Sequence, residues 1–382
     1  MFLLTIFQNP CIIIYEKNSN YKGKFTYSGI FLDMDKICGI ICEFNPLHEG
    51  HIFLINEAKK IAKSVVCVMS GNFVQRGEAA FEDKYSRAKS ALGAGADAVL
   101  ELPFPWCAAP AEFFARAGVA VAHAAGVTDL VFGSECGDTD TLLRAAELSD
   151  SDEFKALCEK LYQGGVGFAA ARYEAARRIL PDAAEVFNSS NDMLAAEYIR
   201  QSKKLGIKFD FHAIERIDSP SATEIRKELY ESGEYDPSKE FERIEKSFFR
   251  LGMISRDSFD SESGIIARLE KSAVLKGNFL SAASTKKYTN SRLRRAALFA
   301  VTGVKKADID ALPEYTVLLA AFRSGRKIVK DISGIETVTK PADAKCPQYV
   351  LEEFSDKLYT LCMESDPGAD YFIKKSPYII DN

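Results

Sequence analysis

The chain has 382 residues, with 49 basic against 54 acidic side chains, a net charge of −5 and 47% apolar content. That balance excludes a disordered, collagenous or uniformly basic protein, and the length corresponds to about two domains. Nine scattered cysteines without a Cys-x-x-Cys pair argue against a zinc knuckle and fit a reducing cytoplasm, the expected location.

Residues 1–33 are rich in apolar side chains but lack the basic start and cleavage site of a signal peptide. Glu16 and Lys17 interrupt the run, leaving it too short to cross a bilayer, and no membrane partner is expected. The texture changes at Met34, which is the expected functional start, with 1–33 a doubtful extension. Beyond it, short apolar runs predict strands at Ile37–Cys42, Ser64–Met69, Ala98–Leu102, Asp129–Phe132 and Lys208–Ile214. Helical spacing is predicted between them at Gly50–Ala62, Lys84–Gly93, Ala111–Ala125, through 139–206, and at Ser221–Tyr230. Such alternation predicts an α/β, Rossmann-like parallel sheet whose ligands sit outside the carboxyl ends of the strands. Glu231–Pro237 has linker composition, so one domain is expected over 34–235. A mainly helical one is expected over 236–382, with no returning sheet pattern.

Only four histidines occur, and two of them fall in His48-Glu49-Gly50-His51, between the first strand and the first helix. Amides at a helix N-terminus favour an anion, and two imidazoles three residues apart point the same way. This is equipment for holding a triphosphate and stabilising departing pyrophosphate. At the far end of the same domain, Ser221-Ala222-Thr223-Glu224-Ile225-Arg226 opens a helix, where Ser221 and Thr223 can cap and Arg226 can clamp phosphate. His123 and His212 are expected in packing roles, and Trp106 either in packing or at the pocket wall.

The two motifs together resemble the nucleotidylyltransferase superfamily, which carries an HxGH loop and a later Ser/Thr-rich arginine motif. The chain resembles one of its families more closely, the bacterial tRNA(Met) cytidine acetate ligases. The residues that carry this are Glu43–His51, Met69-Ser70-Gly71-Asn72-Phe73-Val74-Gln75-Arg76-Gly77, Gly95-Ala96-Asp97, Glu101-Leu102-Pro103 and Phe132-Gly133-Ser134-Glu135. Ser190-Asn191-Asp192, Arg216, Ser221–Arg226 and Asn290–Arg295 follow in the same order, so the likeness runs from Met34 to about Met363. Departures are Leu47, Glu49, Glu215 and a short link, Ile217–Pro220, between Arg216 and the last motif.

The resemblance implies an ATP-binding nucleotidylyltransferase-like first domain and a tRNA-binding second one. It implies that acetate attacks ATP to give acetyl-adenylate, which then acetylates N4 of the wobble cytidine of elongator tRNA(Met). His48, His51 and Arg226 would be catalytic. Ile41, Cys42, Glu43, Phe44, Asn45, Pro46, Gly50 and Leu54 would cradle ATP with Gly133, Asn191, Arg216, Ser221 and Thr223. Mg²⁺ would accompany ATP, with no metal held by the protein alone. Asn72, Gln75 and Arg76 would face the same crevice toward tRNA, or else form a polar turn.

Between Lys286 and Lys330 lie eleven bases against three acids, a local charge of +8. Arg292, Arg294 and Arg295 are the expected tRNA contacts there, with Tyr288 and Tyr315 available for stacking. Solvated helix faces are the plainer account of any single base. The rival functions are a small-molecule adenylyltransferase of cofactor biosynthesis and a divergent RNA-binding relative with altered activity.

Overall fold

The computed structural model describes residues 36–285 and 288–381. The extension 1–33, the start at Met34, and Lys286 and Lys287 therefore lie outside the described residues. Ten strands occur among those described: β1 (Ile37–Cys42), β2 (Ser64–Ser70), β3 (Phe73–Val74), β4 (Glu78–Ala79), β5 (Ala98–Leu102), β6 (Asp129–Ser134), β7 (Asp210–Glu215), β8 (Tyr315–Phe322), β9 (Glu336–Val338) and β10 (Tyr378–Ile380). The five strands predicted for the first part of the chain are present: β1 and β5 match at both ends, and β2, β6 and β7 differ by one or two residues.

The main sheet runs β10–β8–β5–β2–β1–β6–β7, and β9 pairs with β8. β1 pairs in parallel with β2 on one side, Ile37 opposite Ser64, and with β6 on the other, Cys38 opposite Asp129. Chain order thus reverses at β1, and a crevice opens beyond the carboxyl ends of β1 and β6. Apolar side chains on both faces of the central strands explain why Val65 to Met69 and Ala98 to Leu100 are essentially inaccessible. The small β3–β4 hairpin stands apart, in the loop after β2.

One expectation fails. A sheet pattern does return in the second half: β8 pairs antiparallel with β5, Ala98 opposite Ala321, and β10 extends the sheet from β8. The run Tyr-Thr-Val-Leu-Leu-Ala-Ala-Phe is apolar without alternation, because a strand buried on both faces needs none. The α/β class with substantial helical content stands. The largely helical part after β7 comprises the Pro237–Leu251, Ser263–Ala273 and Asn290–Thr302 helices.

A buried ionic cluster fastens the Tyr349–Thr360 helix beneath the loop after β2. Lys84 Nζ lies 2.8 Å from Glu101, 3.0 Å from Glu352 and 2.9 Å from Asp356, and its side chain is 1% exposed. Burial alone would discharge this lysine, but the carboxylates of Asp356, Glu101 and Glu352 hold its pKa well above the ordinary value. Burial also raises the Asp356 carboxyl, to about 7.

Candidate active site

The Glu49–Ile61 helix begins where β1 ends, and His48 is its N-cap. The His48 Nδ1 accepts a hydrogen bond from the Gly50 amide at 3.1 Å. With Nδ1 accepting, the neutral ring carries its proton on Nε2 and can donate to a ligand. A Cβ at Gly50 would meet the His48 ring at 3.0 Å and the Ser219 hydroxyl at 3.2 Å, so glycine is what lets the cap close. The His48 and His51 rings stack with centroids 3.7 Å apart, and Phe44 lies 5.0 Å from His51. Phe44 itself adopts a positive φ of 48° at the turn out of β1.

Both imidazoles are kept neutral. Burial, followed by His48 and Arg216, lowers the His51 pKa to about 3, against a smaller opposing bond with the Pro46 backbone. Burial and Arg216 also lower His48. The Nδ1 of His51 is buried without a hydrogen-bond partner, a polar atom that a ligand can satisfy.

These rings open onto a cavity of about 410 Å³ beyond β1 and β6. Ile41, Cys42, Glu43, Phe44, Asn45, Gly50 and Leu54 line it from the β1 side, and Gly133, Asn191, Arg216, Ser221, Thr223 and Arg226 from the other. Of the residues expected around the nucleotide, only Pro46 does not line it, and it contributes through its backbone bond to His51. The Ser221 hydroxyl is committed to a capping box: Glu224 N donates to it at 3.3 Å and the hydroxyl donates to the Glu224 carboxylate at 2.7 Å. Arg226 Nη1 donates to the Asn45 carbonyl, bringing the last motif against the first.

Of the carboxylates that organise this cavity, the sequence singled out Glu43 but not Glu78 or Glu135. Glu135 accepts from Asn191 at 2.8 Å, from Arg216 at 3.3 Å and from the Ser189 hydroxyl. Burial works against its charge, but these bonds outweigh it and hold its carboxyl below the ordinary range. Glu78 lies between Arg226, 3.8 Å away, and Arg294, so it links the first motif region to the Asn290–Thr302 helix. Glu43 accepts from the Gln75 amide at 2.8 Å, and burial raises its pKa. Arg87, fully buried, donates to the Glu43 carbonyl at 2.6 Å and to that of Gly71. Glu135 ends the Phe132–Glu135 motif and Glu78 directly follows Gly77, but nothing in their spacing marks them as organisers.

Gln75 and Arg76 line the cavity, and Arg76 is exposed. Asn72 does not face it. Its side chain is buried, donating to Asp356 at 2.8 Å and accepting from the Lys84 amide at 2.9 Å, so it is a brace rather than a tRNA contact. The basic stretch is also less free than its sequence charge indicates. Arg292 pairs with Asp260 at 3.1 Å and Glu262 at 2.6 Å, Arg294 with Glu78, and Lys305 with Asp257. Arg295 is half-buried, and burial lowers its pKa. Tyr315 is fully buried with its hydroxyl 3.2 Å from Glu352, so it offers no stacking surface. Trp106 is likewise buried, donating to the Ala311 carbonyl at 3.0 Å. His212 packs against Asp129 at 2.8 Å, whereas His123 is exposed rather than packed.

No described helix is long and apolar enough to cross a membrane. Among the described residues no cluster of three or more His, Cys, Asp or Glu could hold a metal ion.

The model of the family described as HIGH Nucleotidyl Transferase matches residues 35–259 and 250–370. A tRNA(Met) cytidine acetate ligase from Acetivibrio thermocellus is 30% identical over 86% of this chain and 96% of its own. One from Fervidobacterium nodosum is 31% identical over 85% and 87%. The crystal structure of Thermotoga maritima TmcAL bound with alpha-thio ATP superposes with a TM-score of 0.82 and 28% identity, covering 91% of this chain and all of that one. On a family model and relatives that each span most of its length, the chain belongs to the tRNA(Met) cytidine acetate ligase family of HIGH nucleotidyl transferases.

Proposed function

We propose that the chain is an ATP-dependent acetate ligase that forms acetyl-adenylate and transfers the acetyl group to N4 of the wobble cytidine of elongator tRNA(Met). The observation that carries this reading is the meeting of His48, His51 and Arg226 around one cavity at the reversal point of the sheet. The relatives' name, and the ATP analogue in the similar structure, support the choice of substrates.

In the first step an acetate oxygen attacks the α-phosphorus of ATP. A P–O bond forms, the bond to the β-phosphate bridging oxygen breaks, and pyrophosphate leaves. Acetate is already an anion at neutral pH, so no general base is required. Catalysis rests on position and charge: the His48 Nε2–H, the helix amides and Arg226 stabilise the phosphates. In the second step the cytidine amine attacks the acetyl carbon. The C–O bond to phosphate breaks, AMP leaves with the electron pair, and the amine releases a proton.

Mg²⁺ would neutralise charge on the ATP phosphates. The carboxylates present do not form a cage for it: Glu43, Glu78 and Glu135 are each already engaged by amide or arginine donors. The ion would arrive on the nucleotide. Arg76 and Arg216 are both exposed at the cavity, but Arg216 is paired with Glu135, which leaves Arg76 as the best-placed tRNA contact, with Gln75 beside it.

ATP–pyrophosphate exchange with purified protein tests the reading. Exchange that needs acetate, followed by acetylation of tRNA(Met), is the expected result. Exchange driven by a phosphate ester instead identifies a small-molecule adenylyltransferase. No exchange despite RNA binding identifies a non-catalytic relative.

A further inference from the structure

A second cavity, about 440 Å³, adjoins the first and shares Glu78, Thr223 and Arg226 with it. Its volume lies within the range of small-molecule sites. The wall between the two is therefore the Arg226–Glu78 pair, with Arg294 joined to Glu78 from the second side. Tyr230 and Phe241 give it ring surface.

Its distinguishing group is Glu245. This side chain is 1% exposed, and its Oε1 is buried without a hydrogen-bond partner. Neighbouring Glu242 is by contrast fully used, accepting from Asn278 at 3.0 Å and from the Leu280 amide at 3.1 Å. A buried carboxyl oxygen left unmatched is destabilising and marks a place where a donor is missing. Arg294 stands close enough to Glu245 to act on its charge, and a guanidinium bound through Nη1 to Glu78 keeps further N–H donors.

We propose that this second cavity receives the acceptor base, a pyrimidine with an exocyclic amine, held by Glu245 at the amine edge and by Arg294 at the ring carbonyl. An amine N–H fills the vacancy at Glu245 Oε1, and the carbonyl takes an Arg294 donor. Burial and Glu242 favour the neutral carboxyl of Glu245, whose O–H can then donate to the ring nitrogen beside the amine. The shared wall sets the base beside the nucleotide cavity, across the Glu78–Arg226 pair. The inference rests on the acetyl-adenylate reading and deepens it, since only an acyl acceptor needs a second cavity at this wall.

Two measurements test it. In Glu245→Gln, which keeps the shape and removes the carboxyl, tRNA acetylation relative to acetate-dependent exchange falls at least tenfold. An unchanged ratio overturns the proposal. The unaltered protein, crosslinked by light to tRNA(Met) carrying 5-iodocytidine at the wobble position, attaches the base to a peptide containing Tyr230 or Phe241. Crosslinks confined to other peptides overturn it even if the variant does not fold. Failure of the unaltered protein to show acetate-dependent exchange counts against the acetyl-adenylate reading alone, because the crosslink reads occupancy without chemistry.

Discussion

His48 and His51 stack with ring centroids 3.7 Å apart, so a proton on one is repelled by a proton on the other. His51 binds its proton with a pKa of about 3 in the folded chain, against about 6.5 in an unfolded one. Between those values the unfolded state binds more protons. Stability from this site is complete above pH 6.5 and is lost as pH falls toward 3. At pH 5 the cost is about 2 kcal/mol. His51→Gln lacks that cost, so denaturant melts of the two proteins should converge, or cross in favour of the variant, on going from pH 7.5 to 5. A constant gap would refute the burial argument. The same variant should lose about 10²–10³-fold in pyrophosphate exchange, because a glutamine amide does not reproduce the ring stacked on His48 at the phosphate site.

Arg226 reaches the Asn45 carbonyl and Glu78 together, holding the two phosphate motifs at one distance. Arg226→Ala should lower exchange by about 10²–10³-fold. Arg226→Lys should recover little, because a single ammonium cannot reproduce a planar fork. Full activity in the lysine variant would show that only charge matters.

Arg76 is exposed at the cavity, whereas Arg292 and Arg294 are occupied by carboxylates. Arg76→Glu should weaken tRNA binding and reduce the slope of log affinity against log salt by about 1. Thermal melting should be unchanged. An unaltered salt slope would remove Arg76 from the RNA face.

Among the described residues, Lys84 is the one cation paired with the buried carboxylates of Glu101, Glu352 and Asp356. Lys84→Met should destabilise by about 3–5 kcal/mol, since breaking a buried ionic cluster leaves uncompensated charge. Chemical denaturation reads this directly. A loss below about 1 kcal/mol would mean that the acids simply take up protons.

Gly77 turns with φ +72°, and a Cβ there would come within 2.7 Å of the Arg295 amide nitrogen. Gly77→Ala should cost more than about 1 kcal/mol, from strain and from displacement of the Asn290–Thr302 helix. Because Gly77 separates Arg76 from Glu78, exchange and tRNA affinity should fall together. A variant that melts at the original temperature would contradict the close approach.

Local signals made much of this molecule legible. The β1 run, the cap at His48 and the Ser221 box are written in contiguous residues, and the structure places them around one cavity. What escaped depends on residues far apart in the chain. Asn72 reads as a polar turn residue until Asp356, 284 positions away, is seen to accept its amide hydrogen. The +8 stretch loses charge to Glu78, Asp257, Asp260 and Glu262, none of which lies within it. Tyr315–Phe322 looked like one more apolar segment because its pairing partner, β5, precedes it by over two hundred residues.

The seat of β8 beside β5 bears on synthesis. On a ribosome, β1, β2, β5 and β6 emerge long before residue 315, and until then β5 presents an unpaired, apolar flank. Nascent chains stalled within this interval expose a sticky ribbon that a neighbouring polypeptide can join. Release of Tyr315–Phe322 from the exit tunnel ends that exposure, so the last quarter of the chain acts as a built-in guard for the first.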